Sequence, residues 1–207
     1  MRSPSAFSEK EAVKLWNQFR TGNGDALSEL IRHYYRDMYS YGSRFTPDAE
    51  LLKDCIQDVC LILWKNRETI GATAHVKFYL LKSLRRRLIK ELQKDRPDLR
   101  SQLLFQAGFD RELPRESMII RDEQLKQLAL KMRKLLSQLS KRQQEVIYLR
   151  FYMEADIHQI AAIMSVTRQS VYNLLHDALK RLKKLADPLH IMVYLLLHHP
   201  KKISETQ

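Results

Sequence analysis

The chain has 207 residues, enough for one large domain or two small ones, and its 36 Lys and Arg against 24 Asp and Glu give a formal net charge of +12. A positive excess of this size favours a polyanionic partner, either a nucleic acid or an anionic membrane surface. Glycine and proline number only five and six, and good helix formers dominate, so we expect an all-α fold. The sequence has no Gly-rich phosphate loop, no metal-ligating Cys/His spacing and no nucleophile motif. We therefore expect no enzyme activity, no catalytic or metal-binding residues and no cofactor.

The cysteines and the apolar runs bear on the cellular compartment. Cys55 and Cys60 lie five residues apart in a helical stretch, so they point to different faces and are expected to be buried or half-buried thiols. Residues 1–7 lack the apolar run of a secretory signal. The longest apolar run, residues 189–197, is too short to cross a bilayer. These features predict a cytoplasmic protein without membrane insertion.

Helical periodicity predicts a first domain over residues 8–95 that contains four helices, each with one apolar stripe. Ser8 starts the first helix with a capping-box pattern, and Asp25 is placed to cap the second after a Gly-Asn-Gly break. A Thr-Pro-Asp turn that ends at Asp48 marks the start of the third helix, which is expected over about residues 49–65. The fourth helix is expected over about residues 76–94.

The rest of the chain divides into a linker, a second domain and a tail. Residues 96–116 hold Pro97, Gly108 and Pro114 and show no sustained period, which is typical of an interdomain linker. The helical period resumes over residues 117–187, where we expect the second domain. Within it, Ser140 is expected to cap one helix and Asp156 to start the next. Residues 188–207 form a tail that is first apolar, then basic, then polar.

Residues 157–175 fit a helix-turn-helix. Ala161 is small where the two helices must cross closely, and Ser165 occupies the turn position that glycine usually fills. The expected shared apolar core is Ile160, Val166, Val171 and Leu174. The second helix carries Arg, Gln, Asn and hydroxyl side chains at outward positions, which can pair with base edges or phosphates. The alternative is a helical hairpin with a solvated polar face, and the charge of +12 favours DNA binding over it.

The fourth helix of the first domain is strongly basic, with Arg85, Arg86 and Arg87 in succession and Phe78 and Tyr79 just before them. Aromatic rings beside cations suit a nucleic acid strand whose bases have been unstacked. The alternative is a solvated basic face above core aromatics, and composition alone does not decide between the two.

The third helix differs, because acidic and amide side chains accompany Leu61 and Trp64. An acidic, partly apolar surface suits a protein partner better than DNA. The alternative places Leu61 and Trp64 in the core.

Together these segments resemble the sigma-70 family of transcription initiation factors. Residues 54–64 (DCIQDVCLILW) resemble the polymerase-binding helix of region 2, and residues 77–85 (KFYLLKSLR) resemble the promoter-melting helix that follows it. Residues 139–150 (LSKRQQEVIYLR) resemble the start of region 4, and the helix-turn-helix follows at the expected distance. The layout without a middle domain is similar to the extracytoplasmic-function group. Cys60 stands where the family usually has Phe, and Arg86 where it usually has Asn.

The resemblance implies a sigma factor that directs core RNA polymerase to specific promoters and initiates transcription by recognising and melting them. Region 2 would bind the polymerase clamp and the opened minus-ten element, and region 4 would bind the minus-thirty-five element as duplex. The implied partners are core RNA polymerase, promoter DNA and an anti-sigma factor. The expected polymerase-binding residues are Asp54, Gln57, Asp58, Leu61 and Trp64. The expected DNA-binding residues are Phe78, Tyr79, Lys82, Arg85 and Arg86 in region 2 and Thr167, Arg168, Gln169, Ser170, Tyr172, Asn173, His176 and Arg181 in region 4.

One further reading remains open at this point. A stand-alone helix-turn-helix regulator would use its N-terminal helices for sensing or dimerisation, and it would bind a palindromic site without polymerase.

Overall fold

A computed structural model of the protein describes residues 7–94 and 134–185, and all regular secondary structure in these two ranges is α-helical. The predicted all-α fold is confirmed there. The described residues divide into two compact units, 7–42 with 48–94, and 43–47 with 134–185. The expected linker (96–116) and tail (188–207) lie outside the described residues. The helices that lie wholly within the described residues are α1 (Glu9–Arg20), α2 (Gly24–Gly42), α3 (Ala49–Lys65), α4 (Val76–Leu92), α5 (Lys141–Phe151), α6 (Ile157–Met164) and α7 (Arg168–Leu185).

Short side chains cap the first two helices. Ser8 Oγ accepts a hydrogen bond from the Glu11 N–H at 3.2 Å, which confirms the predicted start of α1. The start of α2 differs from the prediction, because Asn23 Oδ1 accepts from the Ala26 N–H at 3.1 Å. Gly22 adopts φ +101°, so the chain reverses early and α2 begins at Gly24. Asp25, the expected cap, therefore lies in the first turn, where its negative charge faces the positive end of the helix dipole.

The core of the first unit lies among α1–α4. Asp48 caps α3 as predicted, with Oδ1 accepting from the N–H groups of Glu50 and Leu51 at 3.0 Å. α2 ends at Gly42, which packs closely against the Leu52 side chain of α3. A Cβ at this position would collide with Leu52, so the close approach requires glycine. α4 ends at Leu92, two residues before the expected end. Fully buried core side chains of this unit include Trp16, Phe19, Leu30, Met38, Leu52, Leu80 and Leu81.

The second unit is built on two capping boxes. Ser140 and Gln143 begin α5, and Asp156 and Gln159 begin α6, each pair bonding reciprocally between side chain and backbone N–H. The predicted starts of α5 and α6 are thereby confirmed. α7 packs against both preceding helices. The capping boxes therefore fix the two helix starts that present α7.

Candidate nucleic-acid and polymerase surfaces

A left-handed turn joins α6 to α7. Ser165 adopts φ 55° and ψ 49°, and the Val166 N–H donates to the Ala161 carbonyl at 3.0 Å across the turn. Serine thus occupies the αL conformation that usually takes glycine. Thr167 then caps α7, with Oγ1 accepting from the Ser170 N–H at 3.1 Å. The backbone geometry of a helix-turn-helix follows, as the sequence predicts.

The outward face of α7 carries the predicted reading residues. Val171, Ala178 and Leu182 form its buried stripe. With 3.6 residues per turn, Gln169, Asn173 and His176 fall along the middle of the opposite side. Arg168 and Tyr172 lie on one margin of this side, and Ser170 and Arg181 lie on the other. The eight predicted DNA-binding residues of region 4, of which Thr167 is the first and Arg181 the last, are all exposed or half-buried.

Two hydrogen bonds order polar groups on this face. Gln169 Nε2 donates to Asn173 Oδ1 at 3.0 Å, and the hydroxyls of Thr167 and Ser170 lie 2.8 Å apart. A fixed amide pair presents its remaining donors and acceptors in a defined direction, which suits readout of base edges.

The predicted strand-binding residues of α4 differ in their exposure to solvent. Phe78 is 8% exposed and Arg85 only 4%, so neither presents its side chain to an outside ligand. Their burial follows from the packing of α4 against α1, α2 and α3. Tyr79 and Lys82 are half-buried and Arg86 is exposed. These three share one face of α4 with Lys90.

A groove runs along this face of α4 and the neighbouring part of α3. It has a volume of about 590 Å³, and its α4 side is lined by Tyr79, Ser83, Arg86, Arg87 and Lys90. The α3 side and the adjoining connector contribute Val59, Ile62, Leu63, Asn66 and Ile70. An aromatic ring, three cations and apolar side chains within one groove suit an unstacked base with its phosphate.

The five predicted polymerase-binding residues lie on one side of α3. Asp54, Gln57, Asp58, Leu61 and Trp64 are on the side opposite the buried stripe of Leu52, Cys55, Ile56, Val59 and Leu63. Leu61 is 66% exposed and Trp64 is 38% exposed, so neither is a core residue. The Arg67 guanidinium stacks over the Trp64 ring at 4.8 Å. An acidic surface with exposed apolar side chains results.

An ion-pair network that the sequence did not predict ties α3 to α4. Arg87 Nη2 lies 2.6 Å from Asp58 Oδ2 and 2.8 Å from Glu91 Oε2. A hydrogen bond from Lys94, together with these neighbouring cations, lowers the pKa of Glu91. The i, i+4 spacing of Arg87 and Glu91 was a visible signal, whereas the bond to Asp58 spans 29 residues. Asp58 is therefore also part of the packing between α3 and α4.

The two cysteines are free thiols, Cys55 buried and Cys60 half-buried. Burial raises the pKa of Cys55 to about 11 and also raises that of Cys60. Across residues 7–94 and 134–185, no cluster of three or more His, Cys, Asp and Glu is arranged to hold a metal ion. In the same ranges, no helix combines the length and apolar character needed to cross a membrane.

Two matches to known protein families bear on these surfaces. The family model described as "Sigma-70 region 2" matches residues 30–97, and the one described as "Sigma-70, region 4" matches residues 135–184. Together the two models cover more than half of the chain. The chain is also 25% identical over 165 residues to the RNA polymerase sigma factor YlaC of Bacillus subtilis (strain 168), an overlap of 77% of this chain and 91% of that protein. This chain belongs to the extracytoplasmic-function group of the sigma-70 family.

The helix-turn-helix of this sigma factor therefore lies within the residues matched to region 4, and α3 and α4 lie within those matched to region 2. As a sigma factor it directs core RNA polymerase to promoters and initiates transcription. The region 2 match sets aside the reading of the N-terminal helices as a sensing or dimerisation domain. α1 lies before the matched residues of region 2.

Proposed function

We propose that this sigma factor divides initiation among three surfaces: α7 reads the minus-thirty-five element as duplex, α4 captures the opened minus-ten strand, and the outer side of α3 docks on core RNA polymerase. The observation that carries the proposal is the accessibility of Thr167 and of the seven predicted residues on α7, together with the αL turn that presents them. Residues 8–95 and 117–187 would be the two working domains, joined by residues 96–116.

The charge distribution on α7 supports duplex binding. Lys180, Arg181, Lys183 and Lys184 are exposed in its last turns and suit contacts with phosphates, which give affinity without sequence selectivity. Gln169 and Asn173 in its first turns suit adenine, and Arg168 suits guanine. The helix N-terminus adds backbone N–H groups for a phosphate. Selectivity and affinity are thereby assigned to different ends of one helix.

Strand capture is assigned to Tyr79, Lys82 and Arg86, the three predicted residues of α4 that are exposed or half-buried. Tyr79 offers a ring for stacking, and Lys82 and Arg86 offer charge for the backbone of the strand. Phe78 and Arg85 are buried in the packed unit, so they stabilise α4 and do not contact the strand directly.

The α3 surface suits a protein partner with cations and apolar side chains. Its acidic residue Asp54 is exposed, as are Gln57 and Leu61. A charged and apolar mixture of this kind favours specific protein association over DNA, whose phosphates would be repelled. Core RNA polymerase is the partner assigned to it. An anti-sigma factor would regulate the protein in the cytoplasm by covering one of these surfaces. The protein would have no catalytic activity of its own.

A three-arm transcription experiment tests the division. Core polymerase is combined with wild type, Gln169→Ala/Asn173→Ala, Tyr79→Ala or Asp54→Lys, and promoter selection, strand opening and core affinity are measured for each. We expect the first variant to lose selection among randomised minus-thirty-five elements, the second to lose permanganate-detected opening, and the third to lose core binding. Glu29→Lys, a charge reversal at an exposed position of α2, is the matched control for Asp54→Lys. The same defect in all three variants would contradict the division.

A further inference from the structure

The connector between α3 and α4, residues 66–75, is held by hydrogen bonds from α1. Trp16 Nε1 donates to the Gly71 carbonyl at 3.1 Å, and Arg20 Nε donates to the Ile70 carbonyl at 2.6 Å. These bonds join residues that are 55 and 50 positions apart in the chain. Two neighbouring carbonyls of the connector therefore depend on side chains from the first helix.

Trp16 also contacts the aromatic residue proposed to receive a base. Its ring centroid lies 4.9 Å from that of Tyr79 at an interplanar angle of 58°, and Trp16 itself is fully buried. At the far end of the connector, His75 Nδ1 lies 3.9 Å from Glu9 Oε1 of α1. The first helix thus contacts the middle of this segment, its C-terminal end and the Tyr79 ring.

Part of the connector also lines the groove on α4. Asn66 and Ile70 line this groove together with Tyr79. Beyond Ile70, the connector turns outward, and Gly71, Ala72 and Ala74 are exposed. A loop that faces a ligand needs a rigid support to keep one geometry. Here that support comes from Trp16 and Arg20.

We propose that α1 is a positioning element for promoter opening, in which Trp16 and Arg20 hold the connector and the Tyr79 ring in the arrangement that receives the separated strand. The proposal rests on the proposed role of Tyr79 in strand capture. Neither side chain need touch DNA, because each acts through the backbone or ring that it holds. α1 precedes the residues matched to region 2, so its part is additional to that match.

The test removes each bond while it keeps most of the side chain. Trp16→Phe deletes the N–H donor and retains a buried ring, and Arg20→Met deletes the guanidinium and retains the aliphatic stem. The readout is binding of holoenzyme to a single-stranded minus-ten oligonucleotide, followed by permanganate reactivity on the duplex promoter. We expect each variant to bind the single strand about fivefold more weakly, the scale of one net hydrogen bond. Arg20→Lys keeps a donor and should recover part of the loss.

Controls separate positioning from general support. Lys14→Met, at an exposed position of the same helix, should behave as wild type. Core affinity and binding to a duplex minus-thirty-five element should stay unchanged in Trp16→Phe and Arg20→Met, and a parallel fall in core affinity would overturn the proposal. Wild-type strand binding by both variants, beside a clear loss in Tyr79→Ala, would overturn it while the proposed function stands. If Tyr79→Ala also binds the strand normally, the strand role of α4 fails first.

Discussion

α4 and α7 carry similar residue types, yet they present them to solvent very differently. In α7, buried side chains form one narrow stripe through Val171, Ala178 and Leu182. In α4, buried side chains cover about half of the circumference, because the helix packs against α1, α2 and α3. Thr167 and the seven predicted residues of α7 are all accessible, whereas two of the five predicted on α4, Phe78 and Arg85, are buried.

The difference shows where pattern-based reasoning holds. A helix at the edge of a domain buries one stripe, so its polar positions point outward as periodicity predicts. A helix packed on several sides can bury even arginine, whose long aliphatic stem packs well in an interior. Charge runs on central helices therefore mix contact residues with support residues.

Adjacent arginines on α4 give the most direct way to break this comparison. Arg85→Ala removes a side chain that is only 4% exposed, and we expect a loss of about 2–3 kcal/mol in unfolding free energy. Arg86→Ala, at an exposed position, should change stability by about 0.5 kcal/mol or less. Urea unfolding followed by circular dichroism measures both.

The same pair should reverse its order in DNA binding. Arg86→Ala should weaken capture of a single-stranded minus-ten oligonucleotide by holoenzyme, because it removes a cation from the groove. Equal stability losses for Arg85→Ala and Arg86→Ala would show that the burial difference has no energetic weight.

The face of α7 sharpens the comparison from the other side. Arg168→Ala, Gln169→Ala and Asn173→Ala should each change discrimination among minus-thirty-five sequences by about 1–3 kcal/mol if the side chain makes a bidentate base contact. Arg181→Ala, on the other margin of the exposed side, should weaken binding across all sequences and lower the salt dependence. Transcription from promoters with randomised upstream elements measures the first effect, and a salt titration measures the second. Unchanged selectivity in all three of the first variants would refute the reading role of α7.

On α3, two aspartates test whether a surface residue also belongs to the packing. Asp58→Lys should lower core affinity about tenfold, because it reverses a charge on the docking surface. It should also destabilise the first unit by about 1 kcal/mol, because it breaks a partly exposed ion pair with Arg87. Asp54→Lys should lower core affinity by a similar factor and leave stability unchanged. Co-purification with core polymerase and thermal unfolding give the two readouts. Asp54→Lys and Asp58→Lys that both co-purify at wild-type levels would exclude α3 as the docking surface.

Local features of the fold were predictable from the sequence. Asp48, Ser140 and Asp156 cap helices as predicted, since each bond joins residues two or three positions apart. The cap of α2 was misplaced by two residues, because Asn23 and Asp25 are both good caps and Gly22 decides between them.

Contacts between distant segments were not predictable in the same way. The exposure of Leu61 and Trp64, left open by the sequence, depends on which side of α3 its neighbours cover. The bonds from Trp16 and Arg20 to the connector depend on the arrangement of α1 and α4, and no periodicity within either helix encodes them. On α7, by contrast, one buried stripe leaves the rest accessible, so the sequence was sufficient for the exposure of its residues.

The smallest expected effect concerns the turn that presents α7. Ser165 adopts φ 55°, where a Cβ costs about 1–2 kcal/mol. Ser165→Gly removes this cost but adds freedom to the unfolded chain, so we expect a net stabilisation of about 0.5 kcal/mol. Ser165→Ala keeps the Cβ and should be nearly neutral, whereas the β-branched Ser165→Val should destabilise by about 1 kcal/mol or more. Thermal unfolding ranks the three variants, and promoter selection by Ser165→Gly should match wild type, because glycine can keep the same turn. Destabilisation by glycine would mean that the serine hydroxyl, rather than the backbone conformation, determines the energy of this turn.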